Sequence, residues 1–158
     1  LANLIQFYKY DFSEIRQLEL TPHGTYDYIG LDYFFNEVSR EAFFVVADDK
    51  LAGFALTQRR DGRNHLSEFF VMRAFRRRGI GRIAAHKVFR RYPGRWSLEV
   101  DLANTVAMRF WTSTIGDIAL GEIERVDRFP PQVDYASALL RFETGGPNSP
   151  SRTRAGSE

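Results

Sequence analysis

The sequence predicts an α/β domain, and three stretches of the chain carry that prediction. Residues 68–82 consist of an apolar, aromatic strand, an arginine-rich turn with two glycines and the start of a helix. Residues 42–58 contain two apolar runs around Asp48-Asp49-Lys50, which is the pattern of an antiparallel hairpin. Residues 96–111 repeat the order of strand and helix. We therefore expect a sheet with helices packed on it.

The first half of the chain is predicted to contain two helices and three strands. Helical spacing of apolar residues predicts a helix over 1–10, and a short helix is expected over 31–36. The strands are expected over 42–47, 51–58 and 65–72, with a loop over 59–64. The helix after the glycine turn is expected to end at Tyr92-Pro93-Gly94 and to be amphipathic. Its apolar face would present Ile80, Ile83, Ala84 and Val88.

The second half is predicted to add a strand, a helix and two last strands. The strand covers 96–100, and Asn104 is a plausible N-cap of the following helix. The last strands are expected over 119–126 and 135–142. Residues 1–143 would form one domain, whereas 144–158, dominated by Gly, Pro, Ser and Arg, would be a disordered tail. The residues that the last helix would bury are Val106, Ala107, Phe110 and Trp111.

Composition excludes several classes of protein. A chain of 158 residues suits one domain, and an apolar fraction of 44% argues against disorder. No apolar run is long enough to span a membrane, and no signal peptide is visible. Because there is no cysteine, disulfides, zinc–thiolate sites and thiol nucleophiles are excluded. We expect a soluble cytoplasmic protein with no membrane partner.

Positive charge is concentrated around the glycine turn. From Arg73 to Arg95 there are nine Lys and Arg residues and no acidic residue, which leaves 13 basic against 20 acidic residues elsewhere. A strand, a glycine turn and a helix start can form an anion site, because backbone N–H groups close around phosphate oxygens there. A solvated helix face explains Arg90 and Arg91 equally well, but it fits residues 76–78 poorly because they lie in the turn itself.

Two motifs give the chain a resemblance to a known family. Arg76-x-x-Gly79-x-Gly81, directly after a strand, resembles the acyl-CoA motif Q/R-x-x-G-x-G/A of the GNAT family of N-acetyltransferases. Residues 104–111, Asn-x-x-Ala-x-x-Phe-Trp, are similar to that family's N-x-x-A-x-x-F-Y segment. The order of elements over 1–142 also matches. The first motif alone is weak, whereas both at this interval are a strong signal.

The resemblance implies a mixed, mostly antiparallel, twisted sheet flanked by helices and splayed between its two central strands. Acetyl-CoA would lie in the opening as co-substrate, and no metal is implied. The backbone at the end of the strand would pair with the pantetheine amides, as an added strand would. The glycine turn would hold the pyrophosphate with its N–H groups, and nearby arginine side chains would bind the cofactor's other phosphate. The cofactor-binding residues are then Phe70, Val71, Met72, Arg76, Arg77, Arg78, Gly79, Ile80, Gly81, Arg82, Asn104 and Trp111, with Arg73 a further partner for the other phosphate.

Acetyl transfer to an amine requires a proton acceptor, because a lysine-like ammonium has a pKa of about 10.4. Glu68 is the leading candidate, since the family often places its base on this strand and strand alternation puts Glu68 on the side of Phe70. A surface or salt-bridged glutamate is the alternative. Glu99 and Asp101 are lesser candidates that could instead attract a cationic acceptor. His65 could also titrate usefully, although a lone histidine at a strand start is more often structural.

The sequence departs from the family pattern at two places. Trp111 stands where the family often has a tyrosine acid, and an indole cannot supply a proton near neutral pH. Tyr135 or water would then protonate the departing thiolate. Members of the family usually begin with a strand before the first helix, whereas this sequence is expected to open on that helix, which would leave one edge of the sheet unaccounted for. A backbone N–H near Val71 or Met72 would polarise the thioester carbonyl.

The function implied by the resemblance is transfer of an acetyl group from acetyl-CoA to a primary amine by direct attack. The acceptor would be a small-molecule amine or a protein amine, contacted by residues 11–40 and 128–135. A non-catalytic acyl-CoA sensor is the first alternative, because the usual tyrosine is replaced by Trp111. A nucleic-acid binder is the second, but the acidic remainder argues against a nucleic-acid partner. The residues leave the oligomeric state open, a homodimer included.

Overall fold

The structure is a computed structural model, and it describes residues 1–146. The predicted disordered tail therefore lies outside the described residues, apart from its first three, of which Thr144 ends a strand. Among the described residues, none of the helices combines the length and the apolar character needed to cross a membrane.

The described residues form one six-stranded sheet together with helices. The helices are α1 (Ala2–Ser13), α2 (Tyr33–Asn36), α3 (Ile80–Arg91) and α4 (Thr105–Gly116), and a 3-10 helix covers Arg73–Phe75. The strands are β1 (Arg40–Ala47), β2 (Lys50–Arg60), β3 (Arg63–Val71), β4 (Gly94–Asp101), β5 (Glu124–Arg128) and β6 (Ser137–Thr144). The sheet has the order β1-β2-β3-β4-β6-β5 and is mostly antiparallel. The predicted α/β fold class is confirmed.

The chain divides into two compact units. The first unit consists of Leu1–Arg59 and Leu66–Gly81, and the second consists of Arg60–His65 and the chain from Arg82 onward. Strand β3 contributes to both units, since its first three residues belong to the second and its remainder to the first.

The first unit is built on the predicted hairpin of β1 and β2. Asp48 and Asp49 have φ values of 51° and 57°, so both central residues of the turn are left-handed, as a two-residue hairpin turn requires. The strands pair antiparallel from this turn, with Ala47 opposite Lys50. One face of the hairpin packs against α1 and α2. The buried cluster on that face consists of Leu4, Ile5, Phe34, Phe54, Leu56 and Phe70.

Strand β2 passes unusually close to the end of β3. A bulge between Val45 and Val46 on β1 leaves Ala52 as an extra residue on β2. The carbonyl of Ala52 accepts a hydrogen bond of 2.8 Å from the N–H of Met72. A Cβ on Gly53 would lie 2.0 Å from the carbonyl oxygen of Phe70, so only glycine fits this approach.

The second unit has an aromatic core. Strand β6 lies between β4 and β5 and is antiparallel to both. The ring of Phe89 lies 4.9 Å from Trp96, 5.1 Å from Phe142 and 6.1 Å from Trp111, measured between centroids. These side chains fix α3 and α4 on the face of β4 and β6.

Two predicted boundaries are wrong. The loop expected over 59–64 is a two-residue turn at Asp61 and Gly62, which have φ values of 53° and 67° and let β2 and β3 extend on either side. The strand expected over 119–126 begins too early, because Ala119 forms only an isolated bridge and β5 begins at Glu124. Gly121, with a φ of 80°, turns the chain between them.

Two predicted core positions are also wrong. Ile83 is 56% exposed and Val106 is 68% exposed. The buried residues of α3 are Ala85, Val88 and Phe89, so its buried stripe is rotated relative to the predicted one. Val106 lies in the first turn of α4, whereas the buried residues of that helix begin at Trp111.

Candidate functional site

The arginine-rich turn between β3 and α3 has the backbone of an anion-binding nest. Arg77 and Gly79 have φ values of 59° and 76°, and α3 begins at Ile80 with no acidic residue in its first turn. Successive N–H groups converge in such a backbone, and the helix N-terminus adds the positive end of its dipole. A Cβ on Gly79 would meet no atom within 4 Å, so the space above the turn is open. The turn therefore fits a pyrophosphate.

Arginine side chains of the first unit already have acidic partners. The carboxylate of Asp11 on α1 pairs with both Arg73, at 2.8 Å, and Arg76. Arg78 pairs with Asp48 at 2.7 Å. All three arginine side chains are at least 42% exposed, so a phosphate can approach them from solvent. These ion pairs lower the net positive charge that the sequence assigns to the turn.

Arg76 also braces the end of β3. Its Nε donates a 2.7 Å hydrogen bond to the carbonyl of Val71, and its guanidinium lies 5.6 Å from the ring centroid of Phe70. The first arginine of the Arg-x-x-Gly-x-Gly motif thus holds the strand from which the turn departs.

The N–H groups at the end of β3 are not equivalent. That of Met72 is donated to Ala52 of β2 and is unavailable to a ligand. Because successive residues of a strand direct their N–H groups to opposite edges, the N–H of Val71 points away from β2. Of the two predicted donors to a thioester carbonyl, Val71 is therefore the one that this geometry favours.

Glu68 lies among tyrosines rather than arginines. Tyr28 donates a 3.2 Å hydrogen bond from its hydroxyl to Oε1 of Glu68, and Tyr8 is a second hydrogen-bond partner. Burial raises the pKa of Glu68, while the hydrogen bonds from Tyr8 and Tyr28 and the charge of Lys9 oppose that rise. Burial and the Glu68 carboxylate raise the pKa of Tyr28, which keeps its hydroxyl a donor. Glu68 is thus a positioned carboxylate whose pKa is raised above its ordinary value.

The two carboxylates of β4 are tied to structural partners. Glu99 accepts two 2.9 Å hydrogen bonds from Arg128 and another from Ser137. Burial acts to raise the pKa of Glu99, but the hydrogen bonds from Arg128 and Ser137 outweigh it and lower that pKa. Asp101 is 6% exposed and accepts a 2.8 Å hydrogen bond from the N–H of Ala103. Neither has the environment of a general base.

His65 is a buried structural histidine. Its Nδ1 lies 3.0 Å from the hydroxyl of Ser97 on β4. Burial, helped by the charge of Arg60, lowers the pKa of His65 to about 4. The ring is therefore neutral at pH 7.

The remaining predicted site residues lie in the second unit. Asn104 caps α4, since its side chain accepts a 2.9 Å hydrogen bond from the N–H of Ala107. Trp111 is 7% exposed and packs against Phe89 and Phe110. Tyr135 is partly buried and precedes β6 instead of lying in it. The cap was predicted, whereas the roles of Asn104, Trp111 and Tyr135 toward a cofactor stay predictions. Over residues 1–146, no group of three or more His, Asp or Glu could hold a metal ion.

A family model agrees with this geometry. The model of the acetyltransferase (GNAT) family matches residues 5–116, well over half of the chain. The chain belongs to the GNAT family. No match was found among curated proteins.

Solved structures similar to this GNAT chain support the same fold. The ribosomal-protein-S18-alanine N-acetyltransferase from Escherichia coli has a TM-score of 0.55 and 19% identity, with 93% of this chain and 92% of that chain covered. A GNAT acetyltransferase from Elizabethkingia anophelis with acetyl-CoA bound has a TM-score of 0.53 and 13% identity, with 72% of this chain and 80% of that chain covered. An acetyltransferase from Thermus thermophilus has a TM-score of 0.55 and 16% identity, with 70% of this chain and 68% of that chain covered.

Sequence reasoning missed the residues that surround Glu68 and the turn of this GNAT domain. Tyr28 is separated from Glu68 by 40 residues, and Asp11 from Arg73 by 62. Contacts at such separations leave no spacing pattern. The one available signal for Gly53 was that a glycine within a predicted strand often marks a close approach of another backbone.

Proposed function

We propose that the protein transfers an acetyl group from acetyl-CoA to a primary amine by direct attack of the amine. The observation that carries this proposal is the nest at Arg77 and Gly79, opening onto the start of α3 in a member of the GNAT family. The similar protein from Elizabethkingia anophelis was crystallised with acetyl-CoA, which supports the same co-substrate here. Bound acetyl-CoA would supply the reactive thioester.

The glycine turn, the end of β3 and nearby arginines would hold the phosphates and the pantetheine arm. N–H groups of residues 77–82 would bind the pyrophosphate, and Arg73, Arg76 and Arg78 would exchange their carboxylate partners for the cofactor's other phosphate. The N–H of Val71 would polarise the thioester carbonyl. In the second unit, the amide nitrogen of Asn104 remains a donor after its oxygen caps α4.

Glu68 would accept the proton of the attacking ammonium, directly or through water. A raised pKa makes it a stronger base than an exposed glutamate, and general-base catalysis contributes roughly 10²–10⁴ in rate. Hydrogen bonds from Tyr8 and Tyr28 would fix the carboxylate for this transfer. The departing CoA thiolate is a competent leaving group, so water or Tyr135 would complete the proton balance.

Substitution of Gly79 tests cofactor binding. Gly79→Glu would place a side chain and a negative charge in the nest and should abolish acetyl-CoA binding in calorimetric titration. Gly24→Glu is the matched control, because Gly24 also has a left-handed φ of 74° and open space at its Cβ position but lies in a different turn, closed by its hydrogen bond to Thr21. Wild-type affinity in Gly79→Glu, with Gly24→Glu unaffected, would overturn the proposal.

A non-catalytic acyl-CoA sensor is the second candidate, and the identity of Trp111 favours it. This side chain is 7% exposed and cannot protonate a thiolate. Release of free thiol from acetyl-CoA, measured against a panel of primary amines, separates the two functions. An enzyme should release thiol with at least one amine, whereas a sensor should bind acetyl-CoA and release none.

A further inference from the structure

An ammonium group already occupies the surroundings of Glu68. The Nζ of Lys9 lies over the ring of Tyr28, 5.6 Å from its centroid. The hydroxyl of the same ring donates to the carboxylate of Glu68. Lys9 also interacts electrostatically with Glu68. The ammonium of Lys9 thus lies over the ring whose hydroxyl binds the carboxylate to which the proposed function assigns the role of base.

These side chains have the chemistry of an ammonium site. A cation over an aromatic ring is attracted by the negative face of the ring, and a nearby carboxylate adds to that attraction. The side chain of Tyr28 is held in place, because its hydroxyl donates to Glu68 and its ring packs against the buried cluster that contains Phe70. Lys9 and Tyr28 are only partly buried, so a ligand from solvent can reach the face of the ring that Lys9 covers.

We propose that Tyr28 and Glu68 form the binding site for the acceptor's ammonium group, and that Lys9 is a tethered occupant that the acceptor displaces. The proposal deepens the proposed function and depends on its assignment of Glu68. Because Lys9 presents an ammonium on an unbranched alkyl chain, the acceptor is a primary alkylamine. That chemistry is shared by small alkylamines and lysine side chains, and it differs from that of an α-amino group.

A tethered occupant lowers the apparent affinity for an external amine. Removing the Lys9 ammonium should therefore raise the affinity for the external amine, by an amount set by the strength of the contact between Lys9 and the Tyr28 ring. A cation–π contact at a partly exposed site is worth about 0.5–1 kcal/mol, which corresponds to a two- to five-fold change in the dissociation constant.

The test is calorimetric titration of n-butylamine into the protein without acetyl-CoA. Lys9→Met keeps the length and the apolar stem and should bind n-butylamine about two- to five-fold more tightly than wild type. Lys9→Arg retains a cation and should show no gain. Lys50→Met is the matched control, because it removes the same charge from an exposed position of β2 in the same unit. Tyr28→Leu should weaken binding, with thermal unfolding used to show that each variant is folded.

The inference would be overturned if Lys9→Met bound n-butylamine no more tightly than wild type, or if Lys50→Met gained as much affinity for n-butylamine as Lys9→Met. It would also be overturned if Lys9→Met gained as much affinity for glycinamide, whose amine is an α-amino group. If Lys9→Met also gains affinity for an N-acetylated peptide with one internal lysine, protein lysine is an acceptor source. If the gain in affinity is limited to n-butylamine, the acceptors are small amines. Because acetyl-CoA is absent, these results are independent of whether thiol is released in the amine panel.

Discussion

At the scale of single residues, Glu68 and Glu99 differ in their surroundings, and these surroundings shift their pKa values in opposite directions. Glu68 is enclosed near Tyr8 and Tyr28, where burial raises its pKa. Glu99 is held by Arg128 with two hydrogen bonds, and its pKa is lowered. Groups with pKa values displaced in opposite directions take different roles, and the raised one is the better proton acceptor. This difference supports the proposal that Glu68, rather than Glu99, acts as the base.

Glu68→Gln should reduce kcat by about 10²- to 10⁴-fold without changing acetyl-CoA affinity. A base must be ionised to act, so wild-type activity should fall as the pH decreases through the raised pKa of Glu68. The substitution should remove that acid limb from the profile of kcat/KM against pH. Glu99→Gln is the control and should leave the limb in place. An identical pH profile in Glu68→Gln and wild type would exclude Glu68 as the base.

The same substitution should stabilise the protein at high pH. A carboxyl whose pKa is raised on folding favours the folded state in its protonated form, and this advantage is lost as the pH rises through the folded pKa. The gap in free energy of unfolding between Glu68→Gln and wild type should therefore widen as the pH rises above the ordinary pKa of a glutamate. Urea denaturation at several pH values measures the gap, and parallel curves would contradict the raised pKa.

Sequence reasoning reached Glu68 but not its partners. Strand alternation placed Glu68 on the side of Phe70, and the structure confirms that both side chains have Tyr8 as a neighbour. Tyr28 and Lys9 carry no local signal, because tyrosines and lysines occur on any surface helix or loop. Their meaning comes from a fold that brings α1 and residue 28 over the middle of β3, and no periodicity in the sequence encodes that proximity.

At the scale of elements, the contact of β2 with the end of β3 controls the strand that leads into the turn. Gly53→Ala should cost about 2–4 kcal/mol, because its Cβ would meet a backbone carbonyl that cannot move independently. The shift of β3 at Phe70 should also weaken acetyl-CoA binding. Gly116→Ala is the control, since a Cβ there meets nothing within 4 Å. Equal thermal stability of the two variants would contradict the close approach.

The contact of β3 with β4 should make the protein sensitive to acid through His65. Its folded pKa of about 4 lies below its ordinary value of 6.5, so the unfolded chain binds a proton more readily. Stability should fall as the pH decreases from about 6.5 toward 4, by up to about 3 kcal/mol from this group. His65→Asn should lose this component of the pH dependence, as measured by denaturant unfolding at pH 7 and 4.5. Parallel pH dependence in both proteins would contradict it.

Element types were more predictable than element faces. The Asp48-Asp49 turn followed from local chemistry, and Asp61-Gly62 carried the same kind of signal although it was interpreted as a loop. The buried faces of α3 and α4 did not follow, because Ile83 and Val106 are apolar yet exposed. A helical repeat fixes which residues share a face, but only packing against the sheet decides which face is buried.

At the scale of the whole molecule, the basic stretch from Arg73 to Arg95 is less positive than its composition suggests. In the first unit, Asp11 and Asp48 pair with arginines of the turn. In the second, Asp117 pairs with Arg82 at 3.0 Å. The arginines at the end of α3 are exposed. These exposed charges contribute to the field that an anion meets on approach.

The association rate of acetyl-CoA should therefore depend on salt. Steering by a local positive field speeds association by about 10- to 10³-fold, and ions screen it over about 10 Å at 0.1 M. We expect the association rate in stopped-flow mixing to fall by about ten-fold between low salt and 0.5 M. The double variant Arg90→Gln/Arg91→Gln, at exposed positions of the last turn of α3, should flatten this salt dependence and leave the dissociation rate nearly unchanged. A faster dissociation rate in the double variant would instead mean that these side chains contact the bound cofactor. An association rate of the wild type that is independent of salt would contradict steering.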